Sequence, residues 1–297
     1  MLVFPPEIIQ LIEHTVLPPA FRESAITPWA EMKGRRGAQL DCFLEGPAFD
    51  ESGNLYVVDI PFGRVFRITP DRQWNLVARY EGWPNGLKVE ADGKLLVADH
   101  KLGLVRIDGA TGHHSVVLDR AGGQPLLGLN DLTFASDGSL FVTDQGNSGL
   151  TDPTGRVLQI TRQGETRVIL DNGPSPNGVI QRAGEDVLFI AMTRANAVWR
   201  VPLLEGKAHR VGIAIQLSGG IGPDGLALDG AGNLLVAHPP IGIWRFDHDG
   251  RPLELYVAQD SLPTNLAVRA EGGVDRIYVT DSKNGRILTA ELPRRGS

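Results

Sequence analysis

Six residues with side-chain oxygens head six similar segments of this 297-residue chain. The segments read Glu45-Gly-Pro-Ala-Phe, Asn85-Gly-Leu-Lys-Val, Asn130-Asp-Leu-Thr-Phe, Asn177-Gly-Val-Ile-Gln, Asp224-Gly-Leu-Ala-Leu and Thr264-Asn-Leu-Ala-Val. Two carboxylates among amide and hydroxyl oxygens, with no histidine or cysteine, make a hard-oxygen donor set suited to Ca²⁺, Mg²⁺ or Mn²⁺. The chemistry open to such a site is polarisation of a carbonyl and activation of a bound water. Asn-Gly and Asp-Gly are also ordinary turn formers, which accounts for any one copy. It does not account for the set, because Glu45 has no such turn role and Asn130 precedes Asp131, yet both fall in register.

Other chemistry is thinly supplied. There is no G-x-S-x-G elbow, no H-E-x-x-H and no P-loop. Cys42 is the single cysteine, so no intrachain disulfide forms, and its place in a strand near residue 40 does not suit a nucleophile. His100 and His238 follow strand ends and are candidate acids or substrate contacts, though rim histidines are more often simply solvated. Trp83 and Phe62 are candidates for an apolar wall, against the commoner fate of core packing.

The elements that must position these residues come from an internal repeat. Asn54-Leu-Tyr-Val-Val-Asp59 returns as Lys94-Leu-Leu-Val-Ala-Asp99, Ser139-Leu-Phe-Val-Thr-Asp144, Val187-Leu-Phe-Ile-Ala-Met192, Asn233-Leu-Leu-Val-Ala-His238 and Arg276-Ile-Tyr-Val-Thr-Asp281. A period in the forties built from short β-rich runs predicts an all-β, six-bladed β-propeller with four antiparallel strands per blade. The six leading oxygens then open innermost strands and converge on the axis. The ends of the second strands (Asp59, Asp99, Asp144, Met192, His238 and Asp281) are expected near the same face. The loop 145–155 is expected to act as a lid.

After its third strand, near residue 290, the sixth copy runs out, and residues 39–43 are expected to supply the missing outer strand and close the ring. Residues 1–37 then form an extension with a short helix at 7–13, residues 38–293 the propeller and 294–297 a tail. The basic cluster Lys33-Gly-Arg-Arg36 reads as a solvated surface turn. A formal net charge of −6 argues against a nucleic-acid partner. The first residues lack the pattern of a signal peptide, and no run is apolar enough to span a membrane, so a soluble, cytoplasmic protein is expected, as a monomer or small homo-oligomer.

Over residues 38–292 the motifs resemble the regucalcin (senescence marker protein)/gluconolactonase family. Leu44-Glu45-Gly46-Pro47, Leu129-Asn130-Asp131-Leu132, Pro176-Asn177-Gly178 and Pro223-Asp224-Gly225-Leu226 carry the likeness. Asn85-Gly-Leu followed by Leu96-Val-Ala-Asp-His100 is similar to the bacterial gluconolactonase branch. The resemblance implies a metal-dependent lactonase acting on a small-molecule lactone, a sugar lactone by default. It implies one divalent cation, Ca²⁺ first with Zn²⁺, Mg²⁺ or Mn²⁺ as alternatives, on Glu45, Asn130, Asn177 and Asp224. Asp224 would also be the catalytic base. By their places in the repeat and at the strand ends, Asn85, His100, Trp83, Thr264 and His238 are the candidate substrate contacts. Gln145-Gly-Asn-Ser-Gly149 departs from the Pro-Pro-Tyr-Gly of that branch and bears on the substrate. The competing readings are a non-catalytic propeller that binds a ligand or partner on the metal face, which two converging carboxylates disfavour, and a strictosidine-synthase-like condensing propeller.

Overall fold

Strand-forming runs separated by Gly- and Asp-bearing turns fold, in the computed structural model, into six antiparallel sheets set around an axis. The structure describes residues 5–182 and 184–294, so most of the expected tail lies outside the described residues. Blade one runs outward from the axis as Leu44–Phe49, Leu55–Asp59, Arg64–Ile68 and Trp74–Arg79. Blades two to four open on Pro84–Val89, Leu129–Phe134 and Pro176–Gln181, and end on His114–Leu118, Thr166–Gly173 and Gly212–Gln216. Blade five opens on Leu226–Leu228 and blade six on Pro263–Glu271. Each innermost strand touches the next around the ring, and that of blade six touches that of blade one.

The ring closes differently from the expectation. Ile12–Val16 pairs antiparallel with Arg286–Glu291 and is the fourth strand of blade six. Just before it, Glu7–Gln10 adds to the outer strand Pro252–Val257 of blade five in parallel register, Glu7 opposite Glu254. The helix expected at 7–13 is therefore two strands. Ile8, Ile9 and Ile12 are β-branched and suit strands, and two open sheet edges offer them partners. Leu11, between the strands, donates its N–H to the Val257 carbonyl at 2.8 Å and buries its side chain.

Residues 39–43 do not close the ring. Gln39–Leu40 pairs with Ala25–Ile26, making a hairpin whose tip carries the helix Pro28–Met32 and the basic residues after it. Thr27 caps that helix, its Oγ1 accepting from the Ala30 N–H at 3.3 Å. Salt bridges moor the hairpin's stem: Arg22 to Asp41 at 2.6 Å, and Glu23 to Arg64 and Arg79 at 3.2 and 2.8 Å. Cys42 is buried with Leu17, Leu44, Phe66 and Tyr278 between blades six and one. Burial pushes its thiol far up, which removes it as a nucleophile. No helix among the described residues is long and apolar enough to cross a membrane.

Candidate active site

At the axis, the ladder between first and second strands is interrupted at or just after the oxygen-bearing residues; in blade one Glu45 itself pairs with Val58 and the shift follows it. In blade two Pro84 pairs with Asp99 and Gly86 with Ala98, so Asn85 is skipped. Shifts of this kind leave out Asn130 with Asp131 in blade three, Asn177 with Gly178 in blade four and Thr264 alone in blade six. A residue outside the ladder is free to turn its side chain into the channel. In blade five the strand begins only at Leu226, and Asp224 is held by its N–H on the Ala237 carbonyl at 2.8 Å.

The residue after each ring position shows why Asn-Gly and Asp-Gly recur. Gly86, Gly178 and Gly225 do not have positive φ, so they are not turn glycines. A Cβ on Gly178 would lie 2.5 Å from the Asp224 carbonyl oxygen and 2.7 Å from the Leu226 nitrogen. On Gly86 it would strike Asp131, and on Gly225 it would strike Asn265. Glycine lets neighbouring innermost strands approach, and the two non-glycine residues, Asp131 and Asn265, fill the space that two of those glycines leave.

Above this layer opens a cavity of about 330 Å³. Its polar lining includes Glu45, Asn85, Asn130, Asn177 and Asp224, with Gln145 and Ser175 beside them; Trp29, Phe43 and Ile60 supply an apolar side. Glu45 accepts at Oε2 from the Gly46 N–H at 2.9 Å and the Asn265 amide at 3.0 Å. Asn130 donates to Gln145 at 3.2 Å, which donates to Ser175 at 3.1 Å. Burial pushes the Glu45 carboxyl up to about 7. Asp224 is driven well above the ordinary carboxylate range, first by burial and then by the charges of Glu45 and Asp131.

Neither ring carboxylate has an arginine or lysine ion-pair partner among the described residues, whereas Asp59, Asp144, Asp229 and Asp281 each have an arginine. Two carboxylates on one cavity floor, Glu45 raised by burial and Asp224 by burial and the charge of Glu45, with amide oxygens beside them, fit a hard divalent cation. Among the described residues no three His, Cys, Asp or Glu gather as a metal site, so a cation at the ring would rest on two carboxylates completed by amide oxygens.

A family model, the SMP-30/gluconolactonase/LRE-like region, matches residues 43–283, which spans every one of these ring positions. The chain belongs to the SMP-30/gluconolactonase/LRE-like family. A lactonase drp35 from Staphylococcus aureus is 28% identical over 230 residues, 71% of this chain and 66% of that protein's length. Among solved structures, a gluconolactonase from Xanthomonas campestris superposes with a TM-score of 0.76 at 21% identity, covering 99% of both chains. A calcium-binding regucalcin from Agrobacterium tumefaciens gives a TM-score of 0.76 at 20% identity, covering 98% of both. These two likenesses agree with the six-bladed fold.

The remaining candidates of this family member fall into two groups. Asn85 reaches the cavity with the four other ring residues. Thr264 does not line it; its Oγ1 is 2.5 Å from Ser282 Oγ and 3.2 Å from Thr280 Oγ1. His238 is fully buried, with Nε2 3.0 Å from the Gly219 carbonyl and Nδ1 accepting from the Trp244 indole at 3.3 Å, so both ring nitrogens are used. His100 stacks on Trp83 at 6.1 Å between centroids and packs against Gly128, outside the cavity lining. Burial, helped by Lys33, holds it down to about 4, so it is neutral near pH 7.

The second-strand ends are not a wall either. Asp59, Asp144 and Asp281 accept from loop N–H groups and pair with Arg64, Arg156 and Arg286, fixing the loops of their own blades. Of the loop 145–155, Gln145 to Ser148 line the cavity, while Leu150 is exposed. Asp131 and Asn265 were missed as site residues, although each breaks the x-Gly pattern of the repeat. Lys33 and Arg35, read as a surface turn, instead line the cavity.

Proposed function

We propose that this chain is a metal-dependent lactonase whose cation is held by Glu45, Asn130, Asn177 and Asp224. The observation that carries the reading is the pair of carboxylates at the floor of an open cavity, Glu45 buried and Asp224 raised partly by its charge, with no ion pair to a basic side chain among the described residues. The names of the relatives, lactonase, gluconolactonase and calcium-binding regucalcin, support both the ester chemistry and Ca²⁺ as the first cation to test. When bound, a divalent cation supplies polarisation of the lactone carbonyl and a lower pKa for an attacking water.

The chain's own residues do the rest. Asn265 and the Gly46 N–H hold the Glu45 carboxylate in one orientation, so it neutralises charge. Asp224 is half-buried and faces the cavity, and it takes the proton of the attacking water. Asn85 orients the substrate from the blade-two side, and Trp29, Phe43 and Ile60 exclude water from one flank.

Asp224→Asn keeps a ligand oxygen and removes the basic site. Turnover is expected to fall by roughly 10²-fold or more while the cation still binds. Lactone hydrolysis and metal occupancy measured on the same preparation test this. Near-normal turnover with the metal bound would assign the base elsewhere.

A further inference from the structure

Three basic side chains line the cavity without an anionic partner among the described residues: Lys33, Arg35 and Arg194. Elsewhere the chain pairs its buried arginines; Arg64, Arg156 and Arg245 each grip a buried carboxylate. Arg35 lies over the Phe43 ring at 5.0 Å and the Trp29 ring at 5.9 Å, which fixes its plane and leaves its N–H edge free. Lys33 follows the helix Pro28–Met32 at the tip of the hairpin and is half-buried. Arg194 comes from the opposite wall, in the turn Thr193–Ala195 after the second strand of blade four. Lys33 is held down to about 8 by burial and by the charges of Arg194 and Arg35, against the pull of Asp224, so these groups face one another across one space.

With a divalent cation on Glu45 and Asp224 the floor keeps at most the charge of the neighbouring Asp131. The three basic groups above it then outnumber the remaining negative charge, in a chain whose formal net charge is −6. A cavity of that sign on an acidic protein focuses an anion. We infer that Lys33, Arg35 and Arg194 form a recognition subsite for a carboxylate, so that the preferred substrate is a lactone carrying a carboxylate on the end remote from the ring carbonyl. This rests on the lactonase reading for its chemistry, but the subsite can be tested separately. A planar carboxylate matches the fixed fork of Arg35, and each charge-assisted contact is worth roughly 10–100-fold in affinity.

The test uses a matched pair, D-glucaro-1,4-lactone and D-glucono-1,4-lactone, which differ only in a carboxylate against a hydroxymethyl group. In the presence of calcium, kcat/KM is expected to favour the glucaro compound by about 10–100-fold at low ionic strength, with added salt shrinking the ratio. Lys33→Met and Arg194→Gln, on separate walls, should each cut that ratio by about 10-fold, mainly through KM. A ratio near one in the unaltered protein, or variants that depress both substrates equally, would overturn the subsite. If neither lactone is hydrolysed, the lactonase reading fails, and calorimetry on the same protein with glucarate against gluconate still decides. A glucarate preference that Lys33→Met abolishes supports the subsite; equal binding, or none, rejects it.

Discussion

Asp59, Asp144 and Asp281 end second strands, and each meets the arginine that opens the third strand of its own blade, Arg64, Arg156 and Arg286. Where both partners are buried, as at Asp59 and Arg64, removing one costs roughly 3–5 kcal/mol, because a charge is left unpaired. The ring carboxylates follow the opposite rule, since neither Glu45 nor Asp224 forms an ion pair with an arginine or lysine among the described residues, and only the more distant charge of Lys33 acts on Asp224. His100 shows the same environment from the other side. Its Nδ1 is buried without a partner, and burial lowers it from 6.5 to about 4. Between those values the unfolded chain binds a proton that the folded chain does not, so stability is lost as pH falls from about 6.5 towards 4. His100→Gln removes this term. Relative to the variant, the natural protein is expected to lose about 1–3 kcal/mol over that interval. Urea midpoints from pH 4 to 7.5 would show it, and parallel profiles for the two proteins would count against a buried neutral histidine.

The strand heads are positioned by skipped ladder positions and by glycines that admit the neighbouring strand. Gly178→Ala would drive a methyl group into the backbone of Asp224 and Leu226, at 2.5 and 2.7 Å. Backbone cannot yield as a side-chain tip does, so the variant is expected to lose about 3 kcal/mol and the cation affinity of the ring with it. Gly212→Ala is the control: its φ is not positive and nothing lies within 4 Å of a Cβ there, so little change or a slight gain is expected. Thermal midpoints with and without calcium separate the two, and an unaffected Gly178→Ala would show that the ring tolerates expansion. Elements of this kind were largely legible in the sequence. The apolar repeat, Leu-x-Val-x-Asp in blades one to three and a close variant in the rest, exposes each second strand, and the near-constant offset back to Glu45, Asn130, Asn177 and Asp224 exposes the floor of the cavity. Residues 7–16 were not legible, because their partners lie some 250 positions away at the edges of the last two blades. Lys33 and Arg35 were misread for a related reason. A basic turn looks solvated until the hairpin formed by Ala25–Ile26 and Gln39–Leu40 hangs it over the cavity.

On the scale of the whole molecule, the strand Glu7–Gln10 extends blade five and Ile12–Val16 completes blade six, and the same segment then runs on to the cavity. Ile12–Val16 joins blade six, Thr15 receives the Trp74 indole N–H of blade one at 3.0 Å, and Arg22 reaches the Asn284 carbonyl at 2.7 Å. Leu17, 1% exposed, fills the seam between those blades. Closure, seam packing and part of the cavity lining therefore belong to one continuous arm. Full burial of Leu17 is worth about 2–3 kcal/mol, and truncating it leaves a cavity in addition. Leu17→Ala is accordingly expected to lose about 2–4 kcal/mol while the blades stay joined. Deleting residues 1–17 removes Leu11, Leu17 and the outermost strands of blades five and six together, and leaves two sheet edges open. Against a usual total stability of roughly 5–15 kcal/mol, that deletion should bring the protein close to unfolding and make it self-associate through the bared edges. Urea denaturation of both variants, with light scattering to follow association, is the measurement. A deletion protein that stays monomeric with the midpoint of the intact chain would mean that the propeller closes without its first strands.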